Sequence, residues 1–391
     1  MRENHIKVKL FNKIAEAGIQ QFDETKYSFS EDFDDYDAIM VRSAKLHDVA
    51  FPASLKCIAR AGAGVNNIPL DKCSEQGIVV FNTPGANANA VKELVIAALI
   101  LSGRKIAQGV NWVKSLEGED ISKAVEKGKS QFVGPEIAGK KLGVIGLGAI
   151  GVQVANAAAA MDMEVYGYDP YISVQAAWTL KSRIHHAKDL KTIFEECDYI
   201  TVHVPYMEAT KNIVSAEGIA MMKDGVRVLN FARGGLVDDE AMVKALQAGK
   251  IGSYVTDFPT NALMQFDNVI GVPHLGASTP ESEENCAVMA AKEIMDYLEN
   301  GNITHSVNLP DMQITQETKY RICIINKNIP DMISSVSTAL GNHGINIENM
   351  ASKGKKDYAY TILETNDEVS EELVQRLQER EGIVMARLIV K

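Results

Sequence analysis

Positive charge is in short supply: 40 lysines and arginines stand against 51 aspartates and glutamates, a net −11 over 391 residues. A protein that grips a phosphate backbone needs a basic face, so nucleic acid is not an expected partner. Cysteine is scarce too. The five residues Cys57, Cys73, Cys197, Cys286 and Cys323 are scattered and form no CxxC pair, which leaves neither a disulfide framework nor a zinc site. They read as small core residues. No apolar run approaches the ~18 residues a membrane helix needs, so no membrane partner is expected. The start MRENHIKVKLF is polar and runs into a strand, unlike a secretory leader. The expected location is cytoplasmic. Tandem repeats and low-complexity stretches are lacking. What remains, 46% hydrophobic and 23% charged, is ordinary globular material long enough for two or three domains. A small anionic substrate would need its own local cluster of cations.

Short apolar runs alternate with helical patterns over the first ~300 residues, the signature of βαβ units and a parallel sheet. Ile6–Phe11, Ala38–Val41, Leu55–Ala59 and Ile78–Asn82 read as strands and Val91–Ser102 as a long apolar helix. Gly109–Phe132 is polar and reads as a surface wrap. The pattern then restarts with strands at Lys141–Ile145, Glu164–Tyr168, Asp198–His203, Val226–Asn230, Gly252–Thr256 and Asn268–Val272. Thr279-Pro280-Glu281 opens a helix that Asn300-Gly301-Asn302 closes. Residues 303–317 read as a polar linker. Beyond it, strands at Tyr320–Ile325, Ile345–Ala351, Tyr358–Glu364 and Val384–Val390 alternate with helices at Met332–Asn342 and Ser370–Arg380, a βαββαβ ferredoxin-like domain.

Gly146-Leu147-Gly148-Ala149-Ile150-Gly151 follows a strand and opens a helix, and Asp169 ends the next strand about 20 residues on. Gly146 suits the tight turn, Gly148 the close approach of a pyrophosphate, and Gly151 helix–strand packing. The helix start supplies amide donors and a positive dipole. Asp169 would accept from a ribose and repel a 2′-phosphate, so NAD is expected over NADP.

A nucleotide motif that begins only after ~140 residues, followed by Val202-His203-Val204-Pro205, Asn230-Phe231-Ala232-Arg233-Gly234-Gly235 and Pro273-His274-Leu275-Gly276-Ala277-Ser278-Thr279, resembles the D-2-hydroxyacid dehydrogenases. The resemblance covers residues from about 6 to 305. It implies a Rossmann-type doubly wound sheet (99–274) inserted in a flavodoxin-like substrate domain (1–98 and 275–305). The ferredoxin-like tail (318–391) is similar to an ACT regulatory domain. Oxidising a 2-hydroxy acid needs a base titrating near neutrality and a bidentate cation for the carboxylate. The resemblance assigns these roles to His274 and Arg233. It places Val204, Pro205, Phe231, Ala232, Asp257, Gly276 and Ala277 around the cofactor. Most members carry a glutamate shortly after the strand-end aspartate to orient the histidine. The stretch from Phe258 to Met264 has none, and Glu281, Glu283 and Glu284 are the sequence-near substitutes.

Arg42-Ser43-Ala44-Lys45 and Arg60-Ala61-Gly62-Ala63-Gly64-Val65-Asn66-Asn67 follow strands, where ligands sit in open α/β sheets. Arg42, Lys45 and Arg60 could hold a phosphate, with Ser43 beside them and the amides of Gly62 and Gly64 facing it. These segments are similar to those of the phosphoglycerate dehydrogenases. The likeness implies NAD-dependent oxidation of 3-phospho-D-glycerate to 3-phosphohydroxypyruvate, the first step of L-serine synthesis, by a homodimer or homotetramer. Asn328 and Asn346 match asparagines that bind L-serine as an effector in such tails. Asn326 and Asp331 depart from the pattern, standing where histidine and glycine are common. The alternatives are another D-2-hydroxyacid dehydrogenase, acting on lactate, glycerate or erythronate 4-phosphate, and a non-catalytic NAD-sensing protein of the same fold.

Overall fold

The computed structural model describes residues 5–117 and 120–391. The polar start before the first strand and two residues of the expected surface wrap lie outside the described residues. The chain forms two compact units, one running to Ala86 and resuming over Pro280–Lys391, the other Asn87–Thr279.

In the first unit β1 (Ile6–Phe11), β2 (Tyr27–Ser30), β3 (Ala38–Val41), β4 (Cys57–Arg60) and β5 (Val79–Asn82) form a parallel sheet ordered β2-β1-β3-β4-β5. This is the flavodoxin-like order. Strands β3 and β4 are buried on both faces, which is why they read as unbroken apolar runs. The return helix Pro280–Asn300 lays Ala287, Ala290, Ala291, Ile294 and Tyr297 on Val8, Met40, Ala59 and Phe81. That is a helical stripe facing a sheet.

In the second unit β6 (Lys141–Ile145), β7 (Glu164–Tyr168), β8 (His185–His186), β9 (Tyr199–Val202), β10 (Val226–Asn230), β11 (Ile251–Thr256) and β12 (Val269–Gly271) are all parallel. Their order is β12-β11-β10-β9-β6-β7-β8. The winding reverses between β6 and β9, the switch point where doubly wound sheets bind nucleotides. The units divide at 86/87 and 279/280, where the sequence suggested 98/99 and 274/275. Packing explains the difference: the helix Ala88–Arg104 buries Val91, Val95, Ala98 and Leu99 against Leu142, Val144, Leu229 and Val255 of this second sheet. The helices Ile106–Lys114 and Ile121–Gly128 bury no residue, as a surface wrap should.

The tail has β13 (Tyr320–Lys327), β14 (Asn349–Lys355), β15 (Tyr358–Thr365) and β16 (Ile383–Val390) in an antiparallel sheet ordered β14-β15-β13-β16. β14 begins four residues later than read, because Ile345 packs beneath the helices with Val336, Leu340, Leu373 and Leu377. The opposite face does not lie open. Cys323, Ile325, Tyr360 and Ile362 join Phe81, Tyr297, Ile303 and Leu309 in one core. The expected polar linker is therefore packed chain. Ile303 pairs with Met312, Ser306 bridges to Phe81 on the edge of β5, and Val80 N donates to Asn308 Oδ1 at 2.9 Å. A sheet with helices on one face has a second apolar face to cover, and this segment helps cover it.

Candidate active site

The cofactor motif forms a cradle at the carboxyl end of β6. Gly146 has φ +93, and a Cβ there would meet the His203 carbonyl oxygen at 2.7 Å. A Cβ on Gly151 would lie 1.9 Å from the Gly146 oxygen. Both positions therefore require glycine. At Gly148 a Cβ would meet nothing within 4 Å, and no side chain caps the helix Ala149–Ala160 that starts there with Ala149 and Ile150. Amides at a helix start facing open space are what a pyrophosphate needs, so the residues fit a dinucleotide. Asp169, after β7, accepts from Leu147 N through Oδ2 and from Tyr171 N through Oδ1, each at 2.8 Å. The acid thus pins the glycine loop, and each oxygen keeps a second lone pair for a ribose hydroxyl. Burial lowers the His203 imidazole, beneath this loop, to about 4, and Thr201 Oγ1 meets its Nε2 at 2.9 Å.

The expected reactive residues follow β10, β11 and β12 of the same sheet. The buried Asn230 takes the Ala232 amide on Oδ1 at 3.1 Å and donates Nδ2 to the Arg233 carbonyl at 2.9 Å, which fixes the turn carrying Arg233. The Ala232 amide is therefore spoken for. Phe231, expected at the cofactor, sends its side chain into the core beside Leu229 and Val255. Val204 and Pro205 follow β9, and Pro205 O accepts from Thr210 Oγ1 at 2.6 Å. Arg233 is exposed, as is His274, whose ring meets the edge of Phe258 at a centroid distance of 5.0 Å. Gly276 is buried, where a Cβ would crowd Val91 at 3.2 Å, and Ala277 is exposed.

Asp257, directly after β11, is 4% exposed, and neither carboxylate oxygen has a hydrogen-bond partner among the described residues. Burial pushes its carboxyl up, while the attraction of His274 and Arg233 opposes the rise. Of the substitutes suggested by sequence, Glu283 is taken by Arg42 at 2.5 Å, and Glu281 and Glu284 are exposed.

In the first unit, the residues after β3 and β4 line a cavity of about 460 Å³ formed by Ser43, Lys45, His47, Arg60, Asn66 and Asn67. Arg60 donates Nε to the Arg42 carbonyl at 3.1 Å, and its guanidinium lies over Gly62. A Cβ on Gly62 (φ +149) would sit 2.0 Å from Arg60 Nη1. The guanidinium is the flexible end of Arg60 and could move aside, so it is the backbone at φ +149 that calls for glycine. Gly62 does not present an amide to an anion, since its N already donates to Arg60 O at 2.8 Å. Gly64 has open space around it, with Asn66 Oδ1 the nearest group at 3.8 Å from a Cβ. Asn67 Nδ2 holds the Ala44 carbonyl at 2.8 Å.

A family model described as D-isomer specific 2-hydroxyacid dehydrogenase, NAD binding domain, matches residues 96–276, and the ACT domain model matches 322–382. The D-3-phosphoglycerate dehydrogenase of Haemophilus influenzae is 32% identical over 340 residues, which cover 83% of this chain and 79% of that protein. The chain belongs to the D-isomer-specific 2-hydroxyacid dehydrogenases. The D-3-phosphoglycerate dehydrogenase of Synechocystis sp. is 39% identical over 287 residues, 71% of this chain and 50% of that protein. The chain thus spans about half the length of that curated relative. A crystal structure of NAD+-bound 3-phosphoglycerate dehydrogenase from Entamoeba histolytica aligns with a TM-score of 0.59 and 26% identity, covering 78% of this chain and 99% of that one.

The unit holding the glycine loop is the family's NAD-binding domain, and NAD is its cofactor. Sequence reading missed His47 in the cation-lined cavity and gave Asn230 no role. A polar residue ending a buried strand is the signal that could have found Asn230. In the ACT tail, Asn328 Nδ2 donates to Lys356 O at 3.0 Å and Asn346 Nδ2 to Glu348 Oε1 at 3.0 Å. The Asn328 amide is thus committed to the β14–β15 turn and the Asn346 amide to its own. Asp331, at φ +67, takes the left-handed position where glycine is common.

Proposed function

We propose that the chain oxidises 3-phospho-D-glycerate to 3-phosphohydroxypyruvate with NAD. The observation that carries this reading is the strand-end cavity of the first unit, where Lys45, His47 and Arg60 gather with no carboxylate among the described residues that line it. With the carboxylate of a lactate or glycerate assigned to Arg233, such a substrate carries no second anion for this cluster. A phosphate dianion does. The names of the relatives in Haemophilus and Synechocystis support the same substrate.

Arg233, on the turn fixed by Asn230, binds the substrate carboxylate and the developing carbonyl oxygen. His274 takes the hydroxyl proton as C2 loses its hydride. Asp257 is buried in the same sheet, and the attraction of His274 and Arg233 favours its charged carboxylate. NAD, when bound, supplies the hydride acceptor. An effector-binding role for the ACT tail belongs to the same reading, with L-serine as the small molecule and a homodimer or homotetramer as the assembly. So does a cytoplasmic location, which suits five free, buried thiols. The test is NADH formation against a panel of D-2-hydroxy acids with and without a phosphate. Turnover confined to phosphorylated acids is expected, and equal turnover of lactate would overturn the substrate assignment.

A further inference from the structure

The expected phosphate-binding trio is split. Lys45 and Arg60 line the cavity, but Arg42 does not. Its Nη2 is held 2.5 Å from Oε1 of Glu283, in the first turn of the return helix and 241 residues away in the chain. Both side chains are about two-fifths exposed, 42% and 39%. An ion pair this wet is weak, so an incoming anion can displace it.

We propose that Glu283 is a positioning residue that sets anion affinity: its carboxylate competes with the substrate phosphate for Arg42. The proposal rests on the reading of this cavity as the phosphate site. Two effects follow from one negative charge beside three cations. Glu283 holds the Arg42 guanidinium away from Lys45 and Arg60, which relieves repulsion among like charges. It also repels a dianion approaching that cluster. A phosphate must break the Arg42–Glu283 contact to gain a bidentate arginine, whereas a substrate lacking phosphate has no reason to. Glu283 therefore weakens binding of phosphorylated acids selectively, and does so through Arg42 without touching the reacting atoms.

Glu283→Gln separates charge from shape, since the amide oxygen can still accept from Arg42. In the full-length chain, the Kd for inorganic phosphate by calorimetry and the KM for 3-phosphoglycerate should both fall about three- to tenfold, the scale of an exposed ion pair plus relieved repulsion. kcat should stay within about twofold, as expected when only ground-state binding changes. The KM for an unphosphorylated D-2-hydroxy acid should not move. Glu283→Asp keeps the charge but draws it back by one methylene, so its Kd for phosphate should fall between those of the native chain and Glu283→Gln. Unchanged or weaker phosphate binding in Glu283→Gln would overturn the proposal. Arg60→Ala separates this failure from a failure of the underlying reading: if it leaves the Kd for inorganic phosphate unaltered, the cavity is not the phosphate site and both ideas fall.

Discussion

Replacing Asp169 with alanine should close the gap between NAD and NADP, and should do so by harming NAD more than by helping NADP. The carboxylate has two jobs. It accepts the Leu147 and Tyr171 amides at 2.8 Å, and its free lone pairs face the position a ribose would take. Hydrogen bonds to a charged acceptor are worth about 1.5–3 kcal/mol each, and partial exposure argues for the lower end. The two loop amide bonds exist before NAD binds, so together they count as about one further bond towards affinity; losing them and one ribose bond then costs about 3 kcal/mol, or roughly 100-fold in NAD affinity. NADP loses the same loop support but escapes repulsion between the carboxylate and its 2′-phosphate. Two negative charges against one at about 5 Å are worth about 1.5 kcal/mol in a water-like medium. For NADP the two changes nearly cancel. Fluorescence titration of the full chain with NADH and NADPH at fixed salt measures both, independently of which hydroxy acid is the substrate. A variant that binds NADH within about threefold of the native chain would show that the loop bonds carry no energy, against the ~100-fold argued from them. A variant that binds NADPH as tightly as the native chain binds NADH would show that charge repulsion alone sets the preference.

Arg60→Ala should raise KM for 3-phosphoglycerate by roughly 10- to 150-fold, the equivalent of 1.5–3 kcal/mol, with little change for unphosphorylated acids; equal losses on both sink the phosphate assignment. His274→Asn should lower kcat by roughly 10²–10⁴-fold, and near-normal turnover would refute His274 as the base. Burial pushes the Glu293 carboxyl up to about 9, with Asp311 adding to the effect. A carboxyl raised on folding stabilises the fold in acid and loses that contribution as pH climbs from its ordinary value towards about 9. Thermal stability should therefore decline over that window, and Glu293→Gln should flatten the decline. Parallel slopes for the two proteins would contradict the sign.

The parts of the site legible in sequence are those whose logic is local. Gly146, Gly148 and Gly151 stand on either side of one turn, and Asp169 ends the adjacent strand. Their spacing alone states what the backbone must do. Arg233, Asp257 and His274 lie far apart in the chain but share one rule, since each ends or follows a strand of a single parallel sheet. What sequence could not give depends on partners distant in the chain. Arg42 reads as a free phosphate ligand until the fold brings Glu283 to it. The burial of Asp257, which raises its carboxyl, depends on neighbours that sequence does not show. Gly62 reads as an amide donor to an anion, but its amide is taken by the Arg60 carbonyl. Residues 303–317 read as a linker because Ser306 and Asn308 are polar. Those polar groups are engaged by the edge of β5 and by one another, which lets Ile303 and Leu309 bury completely.

The return helix shows why the tail is part of the first unit. A helix ends with carbonyls that have no partner inside it. Here the tail supplies the donors. Arg387 Nη1 donates to Leu298 O at 3.1 Å and its Nη2 to Tyr297 O, Arg321 Nη1 reaches Asn300 O at 2.5 Å, and Tyr360 Oη donates to Gly301 O at 2.6 Å. Two of these donors are cations, the charge that the negative end of a helix dipole favours. Arg387 also stacks over the Tyr297 ring, 4.2 Å from its centroid. Arg321 is in turn neutralised by Glu364, with both side chains buried. Arg321 could not be buried without Glu364, and the helix end would carry open carbonyls without the two arginines. The opposite end of the same helix holds Arg42 through Glu283. One element thus carries both the tail's docking and the contact that occupies Arg42, and its small residues Ala287, Ala290 and Ala291 keep it close against the sheet from which the candidate phosphate-binding residues emerge.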